Sequence, residues 1–195
     1  MTDVPRETTA LLAELKRLVL AESERQNLIA SSTVPTFDER HLDDSLQLAP
    51  LLPAGALLDI GSGGGFPGLV LACLVTTPVH LVEPRAKRAA FLQEASDTLG
   101  LRHVTVHAAK VERVDLLPVA AITARAVANL GALFDMAHHL GDEKTRWVLP
   151  KGRGAASELE EARRTWQGDF RLVPSVTDAE AAIVIAEGVR RRRGR

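Results

Sequence analysis

The spacing of apolar residues changes near residue 56 and divides the chain into two patterns. Before it, "ETTALLAELKRLVLAE" places Leu11, Leu12, Leu15, Leu18 and Val19 on one face of a helix. A second helix is expected from Thr36, whose hydroxyl would cap it while Glu39 reaches back. That helix carries Leu42, Leu46 and Leu48 until Pro50 and Pro53 end it. From Ala56 the apolar residues gather in short runs that read as strands: "ALLDI", "VHLVE", "VTVHA", "AAITA", "RWVLP", "FRLVP" and "AAIVIA". Helical stretches are expected between several of them, at Pro67 to Leu74, Arg85 to Leu99, Leu130 to Leu140 and Ala155 to Trp166. Strands alternating with helices imply crossovers and a mostly parallel sheet with helices on both faces. The last two runs lack a helix between them and predict an antiparallel hairpin at one edge. The expected organisation is one domain: a helical N-terminal extension over 1–54, a Rossmann-like α/β core over 55–187, and a basic, structureless tail over 188–195.

Composition narrows the class without naming a function. With 195 residues, 46% hydrophobic and 25% charged, the chain suits one soluble globular domain. Its apolar run at Leu69 to Val75 is far shorter than the roughly 20 residues that span a bilayer. "MTDVPRETTALL" has early acids and no apolar stretch of the kind a secretion signal needs. Cys73 is the single cysteine, so an intrachain disulfide is excluded and a reducing, cytoplasmic setting is expected. No CxxC or HExxH pair is present, and no metal site is expected. The net charge is −1, but the last six residues hold five arginines, leaving 19 basic against 25 acidic residues elsewhere. An acidic body with few aromatics predicts no broad affinity for arbitrary RNA.

The chemistry-bearing stretch is "LLDIGSGGGFPG", residues 57 to 68. Asp59 ends the first strand; Gly61, Gly63, Gly64 and Gly65 follow, and Pro67 opens a helix. Glycines there permit a tight turn and bring a ligand onto bare main chain. Glu83 ends the second strand, where an acid suits the two hydroxyls of a ribose. A triphosphate loop would need Lys-Ser or Lys-Thr after the glycines, and neither occurs. Gly63, Gly65 and Gly68 match a dinucleotide fingerprint only when displaced by two residues. S-adenosylmethionine, a nucleoside bearing an amino acid and no pyrophosphate, fits better, with Asp59 expected to organise its amino-acid end.

"DIGSGGGFPG", "RHLDDSL" (Arg40 to Leu46) and "LVEPRAKRAAFL" (Leu81 to Leu92) together resemble the small-subunit ribosomal RNA guanine-N7 methyltransferase G family, also called glucose-inhibited division protein B. "NLIA", "ARAVANL" and "PKG" extend the similarity over about Asn27 to Ile185. The resemblance implies a class I methyltransferase fold with a seven-stranded, mostly parallel sheet, and S-adenosylmethionine as cofactor. It implies methylation of guanine N7 in 16S rRNA, with a small ribosomal subunit particle as the expected partner; the protein itself is expected to be a cytoplasmic monomer. It also implies a donor pocket of Gly61, Phe66, Glu83, Val111, Glu112 and Arg125, with Arg125 near the reacting methyl. The chain departs from the family pattern at Ala120, where an acid is common, at Pro84, where serine is common, and at Lys110-Val111-Glu112, where Arg-Ala-Glu stands.

N7 carries an in-plane lone pair and loses no proton on methylation, so no general base is expected. Cys73, among Leu71, Ala72, Leu74 and Val75, reads as a core thiol. His138 and His139 end a helix, where positive charge suits the dipole. Arg40, His41 and Asp44 lie at neighbouring helical positions, either as a polar brace or, for His41, as an RNA contact. Lys87, Arg88, Lys151, Arg153 and the C-terminal arginines are further candidates for phosphate contact. Two rival functions share the same residues: a small-molecule methyltransferase, and a non-catalytic ribosome-assembly factor.

Overall fold

In the computed structural model, which describes residues 5–192, seven strands form one sheet in the order β3-β2-β1-β4-β5-β7-β6. Strands β1 (Leu57–Ile60), β2 (Val79–Val82), β3 (Val104–His107), β4 (Ala121–Ala124) and β5 (Arg146–Lys151) pair in parallel. Strands β6 (Trp166–Pro174) and β7 (Ala182–Arg191) form the antiparallel edge hairpin, with β7 inserted beside β5. Chain order reverses between β1 and β4, and in such sheets a crevice opens there beyond the strands' carboxyl ends.

Strand periodicity divides the core into two layers. Leu57, Val79, Leu81, Ala121 and Val148 face one side, where α1 (Arg6–Gln26), α3 (Gly68–Ala72) and α4 (Ala86–Thr98) cover them. Their neighbours Leu58, Ile60, Val82, Ile122 and Trp147 face the other side, under α5 (Leu130–Ala137) and α6 (Ala155–Ala162). Because both faces are covered, the central strands β1 and β4 are buried at every position, whereas the edge strand β3 is partly exposed. Phe134 of α5 is fully buried, with ring centroids of Trp147, Trp166 and Phe170 at 5.0, 5.6 and 6.1 Å. The crossover from β3 to β4 has no α-helix, only a 3-10 turn at Val111–Arg113.

Three expectations are corrected. The capping box at Thr36 does not form, because the chain is already coiled there. A 3-10 helix at Ser31–Thr36 runs into a π-helical turn at Asp38–Asp43, then α2 (Asp44–Leu46), and main-chain groups rather than the Thr36 hydroxyl take the N–H bonds. The helix after β5 stops at Ala162, since Trp166 is buried and begins β6. The basic segment is not structureless from 188 onward. Arg190 and Arg191 extend β7 opposite Gln167 and Trp166, Arg191 pairs with Asp135, and the Arg192 N–H donates to the Thr165 carbonyl at 2.9 Å. Arg193 to Arg195 lie outside the described residues.

Replacing Phe134 by alanine is expected to cost about 3–5 kcal/mol of unfolding free energy in urea, the range for a buried aromatic that leaves a cavity. A loss under about 1 kcal/mol would mean that the surrounding rings collapse into its place.

Candidate active site

The glycine turn sits at the carboxyl tip of β1. Gly61 has φ +67°, and a Cβ built on it would stand 2.6 Å from Cγ2 of Val127, so only glycine fits beneath the loop after β4. Glu83, at the tip of β2, is buried and stands across the turn. Its carboxylate accepts the Gly63 N–H at 3.0 Å and the Arg85 N–H at 2.9 Å. Val111 is buried in the 3-10 turn beyond β3, and Glu112 beside it is exposed.

Asp59 takes a different place from the one expected. Only 1% of it is exposed, and its carboxylate accepts the Gly68 N–H at 3.2 Å and the Thr123 hydroxyl at 2.8 Å. It therefore shapes the turn from behind rather than lining the crevice. Burial pushes its pKa up to about 6, against the opposing pull of the Thr123, Ser62 and Gly68 hydrogen bonds and the Arg125 charge.

Arg125, just past β4, is held by the N-terminal extension. Its Nη1 donates to Asp44 Oδ2 and to the Arg40 carbonyl, both at 3.0 Å, and its Nη2 lies 3.1 Å from His41 Nδ1. Arginine only donates, so His41 Nδ1 accepts and His41 Nε2–H donates to Thr33 Oγ1 at 2.9 Å. The His41 ring also stacks on Phe66, centroids 4.8 Å apart, and the Arg125 guanidinium lies over the same Phe66 ring at 5.3 Å. Burial, then the Arg125 charge, lowers the His41 pKa to about 4, with Asp44 pulling the other way and Arg40 adding to the fall. His41 is thus neutral, buried and fully hydrogen-bonded; the RNA-contact reading is corrected in favour of the brace. The following residue, Ala126, has φ +57°, an uncommon backbone state for a side-chain-bearing residue.

Beyond Arg125 a cavity of about 630 Å³ opens between the extension, the loops after β4 and β5, and the β6–β7 connection. Arg125, Val127, Lys151 and Glu158 line it. Lys151 Nζ donates to the Ala128 carbonyl at 2.6 Å and forms an ion pair with Glu158 Oε2 at 2.9 Å. The other cations expected to contact phosphate do not line this cavity. Lys87 and Arg88 lie on α4, with Arg88 bonded to the Asn27 carbonyl near Gly63, and Arg153 is exposed and paired with Glu180. Cys73 is buried on the opposite face of the sheet from α5, its thiol pushed up to about 12 by burial. No cluster of three or more metal-ligating side chains occurs among the described residues.

Glu158 and Val127 were not identifiable from sequence as site residues. An acid in the first turn of α6 carries only the ordinary signal of a dipole partner, and Val127 looks like one more apolar residue.

A seven-stranded sheet in this order, parallel except for β7, with a glycine turn at the tip of β1 and a buried acid at the tip of β2, is the arrangement of a class I methyltransferase. Solved structures agree at the level of the fold. An O-methyltransferase from Bacillus cereus in complex with SAH superposes with a TM-score of 0.63 at 16% identity, covering 95% of this chain and 93% of that one. A glycopeptide N-methyltransferase complexed with S-adenosyl-L-methionine reaches 0.64 at 9% identity, covering 75% and 86%. The sequence profile of the rRNA small subunit methyltransferase G family matches residues 8–183. Ribosomal RNA small subunit methyltransferase G of Rhizorhabdus wittichii is 47% identical over 97% of this chain and 89% of its own length. The Sphingopyxis alaskensis protein of the same name is 44% identical over 93% and 80%. This chain belongs to the rRNA small subunit methyltransferase G family, and is an S-adenosylmethionine-dependent methyltransferase.

The residues present fit that cofactor. Gly61 leaves bare main chain where a Cβ would strike Val127, and Glu83 is a buried carboxylate at the rim of the same turn. The brace carries a pH signature. Neutral His41 is favoured in the fold but not in the unfolded chain, so its contribution is complete above pH 6.5 and falls away as pH drops toward 4. The unfolding free-energy difference between wild type and His41→Gln is expected to shrink between about pH 7.5 and about pH 4.5. A pH-independent difference in urea titrations would uncouple the imidazole's proton from folding.

Proposed function

We propose that the chain methylates N7 of a guanine in 16S rRNA within a small ribosomal subunit particle, as a cytoplasmic monomer. S-adenosylmethionine, when bound, supplies an electrophilic methyl on its sulfonium. Glu83 would take the ribose hydroxyls, Gly61, Gly63, Gly65 and Phe66 the body of the donor, and Val111 and Glu112 the base. Arg125 would face the donor carboxylate with the edge its brace leaves open: its Nε has no hydrogen-bond partner among the described residues.

One observation carries the reading. Val127 touches the position above Gly61 and also lines the large cavity, so the glycine turn and the cavity share one wall. A base held in that cavity would lie next to a donor held on the glycine turn. No step then calls for proton removal, and the two titratable groups that hold Arg125 are already engaged: His41 at both ring nitrogens and Asp44 at both oxygens. Holding both partners in attack geometry can supply about 7–11 kcal/mol of the barrier. Among the described residues no helix is long and apolar enough to cross a membrane.

Labelled methyl from the donor is expected in 16S rRNA of small-subunit particles, recovered as 7-methylguanosine. Label appearing only in metabolites would favour a small-molecule enzyme, and donor binding without turnover an assembly factor. Glu83→Ala is expected to weaken donor binding about 10- to 100-fold by calorimetry, the range for hydrogen bonds to a charged group. Unchanged affinity would remove the ribose assignment.

A further inference from the structure

Lys151 and Glu158 stand side by side in the cavity wall with capacity to spare. The Lys151 side chain is 10% exposed; its Nζ donates one hydrogen to the Ala128 carbonyl and forms an ion pair with Glu158 at 2.9 Å, which leaves at least one of its three hydrogens open. Glu158 Oε2 pairs with the Lys151 ammonium and accepts the Leu130 N–H at 3.2 Å, while Oε1 accepts nothing among the described residues. One open donor therefore sits next to one open acceptor. The other carboxylates of the cavity differ. Asp44 is filled by Arg125, Gln47 and Thr177, and Asp178 is half-exposed with Oδ1 on the Glu180 N–H.

Passing around guanine from N7, the next polar atoms are O6, an acceptor, and N1–H, a donor. Adenine presents the reverse, an N6 amine and then an N1 lone pair. An ammonium beside a carboxylate complements guanine and opposes adenine, whose amine would face Lys151 and whose lone pair would face Glu158. The order along the wall agrees. Val127 abuts the glycine turn, Ala128 follows it and holds Lys151, and Lys151 holds Glu158. That sequence of wall, cation and anion matches N7, O6 and N1–H.

We propose that Lys151 and Glu158 read the O6/N1–H edge of the acceptor base and make the site selective for guanine. The inference rests on the reading of guanine N7 as the acceptor. Glu158 is its specificity-determining residue, since a carboxylate on N1–H also raises electron density in the ring that carries N7. Lys151 balances that charge and leaves the pair neutral toward a neutral base.

The test uses wild-type protein and reconstituted small-subunit particles carrying guanosine, inosine or 2-aminopurine at the target position. All three keep N7, but only the first two keep O6 and N1–H. Inosine is expected to be methylated within about 10-fold of guanosine, because only the 2-amino group is lost. 2-Aminopurine is expected to fall by about 100-fold or more, as when a site's polar groups are left unpaired. Glu158→Gln is expected to lower kcat/KM on guanosine particles about 10- to 100-fold. Its donor affinity by calorimetry is expected to stay within about 3-fold of wild type. Methylation of 2-aminopurine at a rate near that of guanosine, inosine rejected as strongly as 2-aminopurine, or wild-type kcat/KM in Glu158→Gln would each overturn the proposal. If Glu158→Gln does not fold, the three particles with wild-type enzyme decide alone. Failure of wild type to form any 7-methylguanosine in guanosine particles would instead overturn the functional reading beneath it.

Discussion

A carboxylate removed from water holds the donor end of this molecule together. Asp59 lies within β1, 1% exposed, and binds the Gly68 N–H at the start of α3 and the Thr123 hydroxyl on β4. Those two contacts tie three consecutive parts of the crevice: the strand that enters it, the helix that leaves it and the strand beside it. The space is tight enough that a Cβ on Gly68 would stand 2.6 Å from Asp59 Oδ2 and 2.4 Å from Leu81. A buried polar group left unpaired costs about 1–3 kcal/mol, and more when charged, so this arrangement tolerates no partial version. Its raised pKa measures the cost of burial that the hydrogen bonds only partly offset.

The second wall of the site comes from the other end of the chain. Residues 31–48 bring His41 and Asp44 to Arg125, while Gln47 reaches the β6–β7 connection at Ser175, Val176 and Thr177. Thr177 returns to Asp44 Oδ1 at 2.9 Å, which closes the circuit. The extension thus fixes the direction of a cation instead of merely covering the sheet. Arg125 has little rotamer freedom left: three hydrogen bonds hold its Nη atoms and the Phe66 ring lies under its plane.

Much of this was legible because its physics is local. The strands of the parallel sheet are short apolar runs, and the turn that follows β1 requires glycines in sequence order. Glu83 could be found because a crossover of ordinary length places the next strand tip beside that turn. The brace was half legible: Arg40, His41 and Asp44 are neighbours in sequence, but Arg125 lies 81 residues from Asp44. The hydrogen bonds from Gln47 to Ser175 and Thr177 span 128 and 130 residues and leave no periodic trace. The arginines after Gly188 misled for a related reason. A run of like charge reads as solvated tail, yet strand pairing is made by main chain and is indifferent to it, and Arg191 found Asp135 and the Trp166 ring.

The charges around the cavity fit the reaction better than their number suggests. Most are spent on one another: Arg125 on Asp44, Lys151 on Glu158, and Arg40 near Asp178. Such neutralised pairs present fixed dipoles, with little net field to hold a loose polyanion. An enzyme that needed strong attraction for naked RNA would leave those cations open. An enzyme whose acceptor arrives within a shaped particle needs direction at the reacting base, and paired charges supply direction while keeping the long-range pull weak. The acidic body of the chain fits the proposed particle-borne substrate: on that proposal affinity comes from the surface of the particle, and the cavity is left to orient one base.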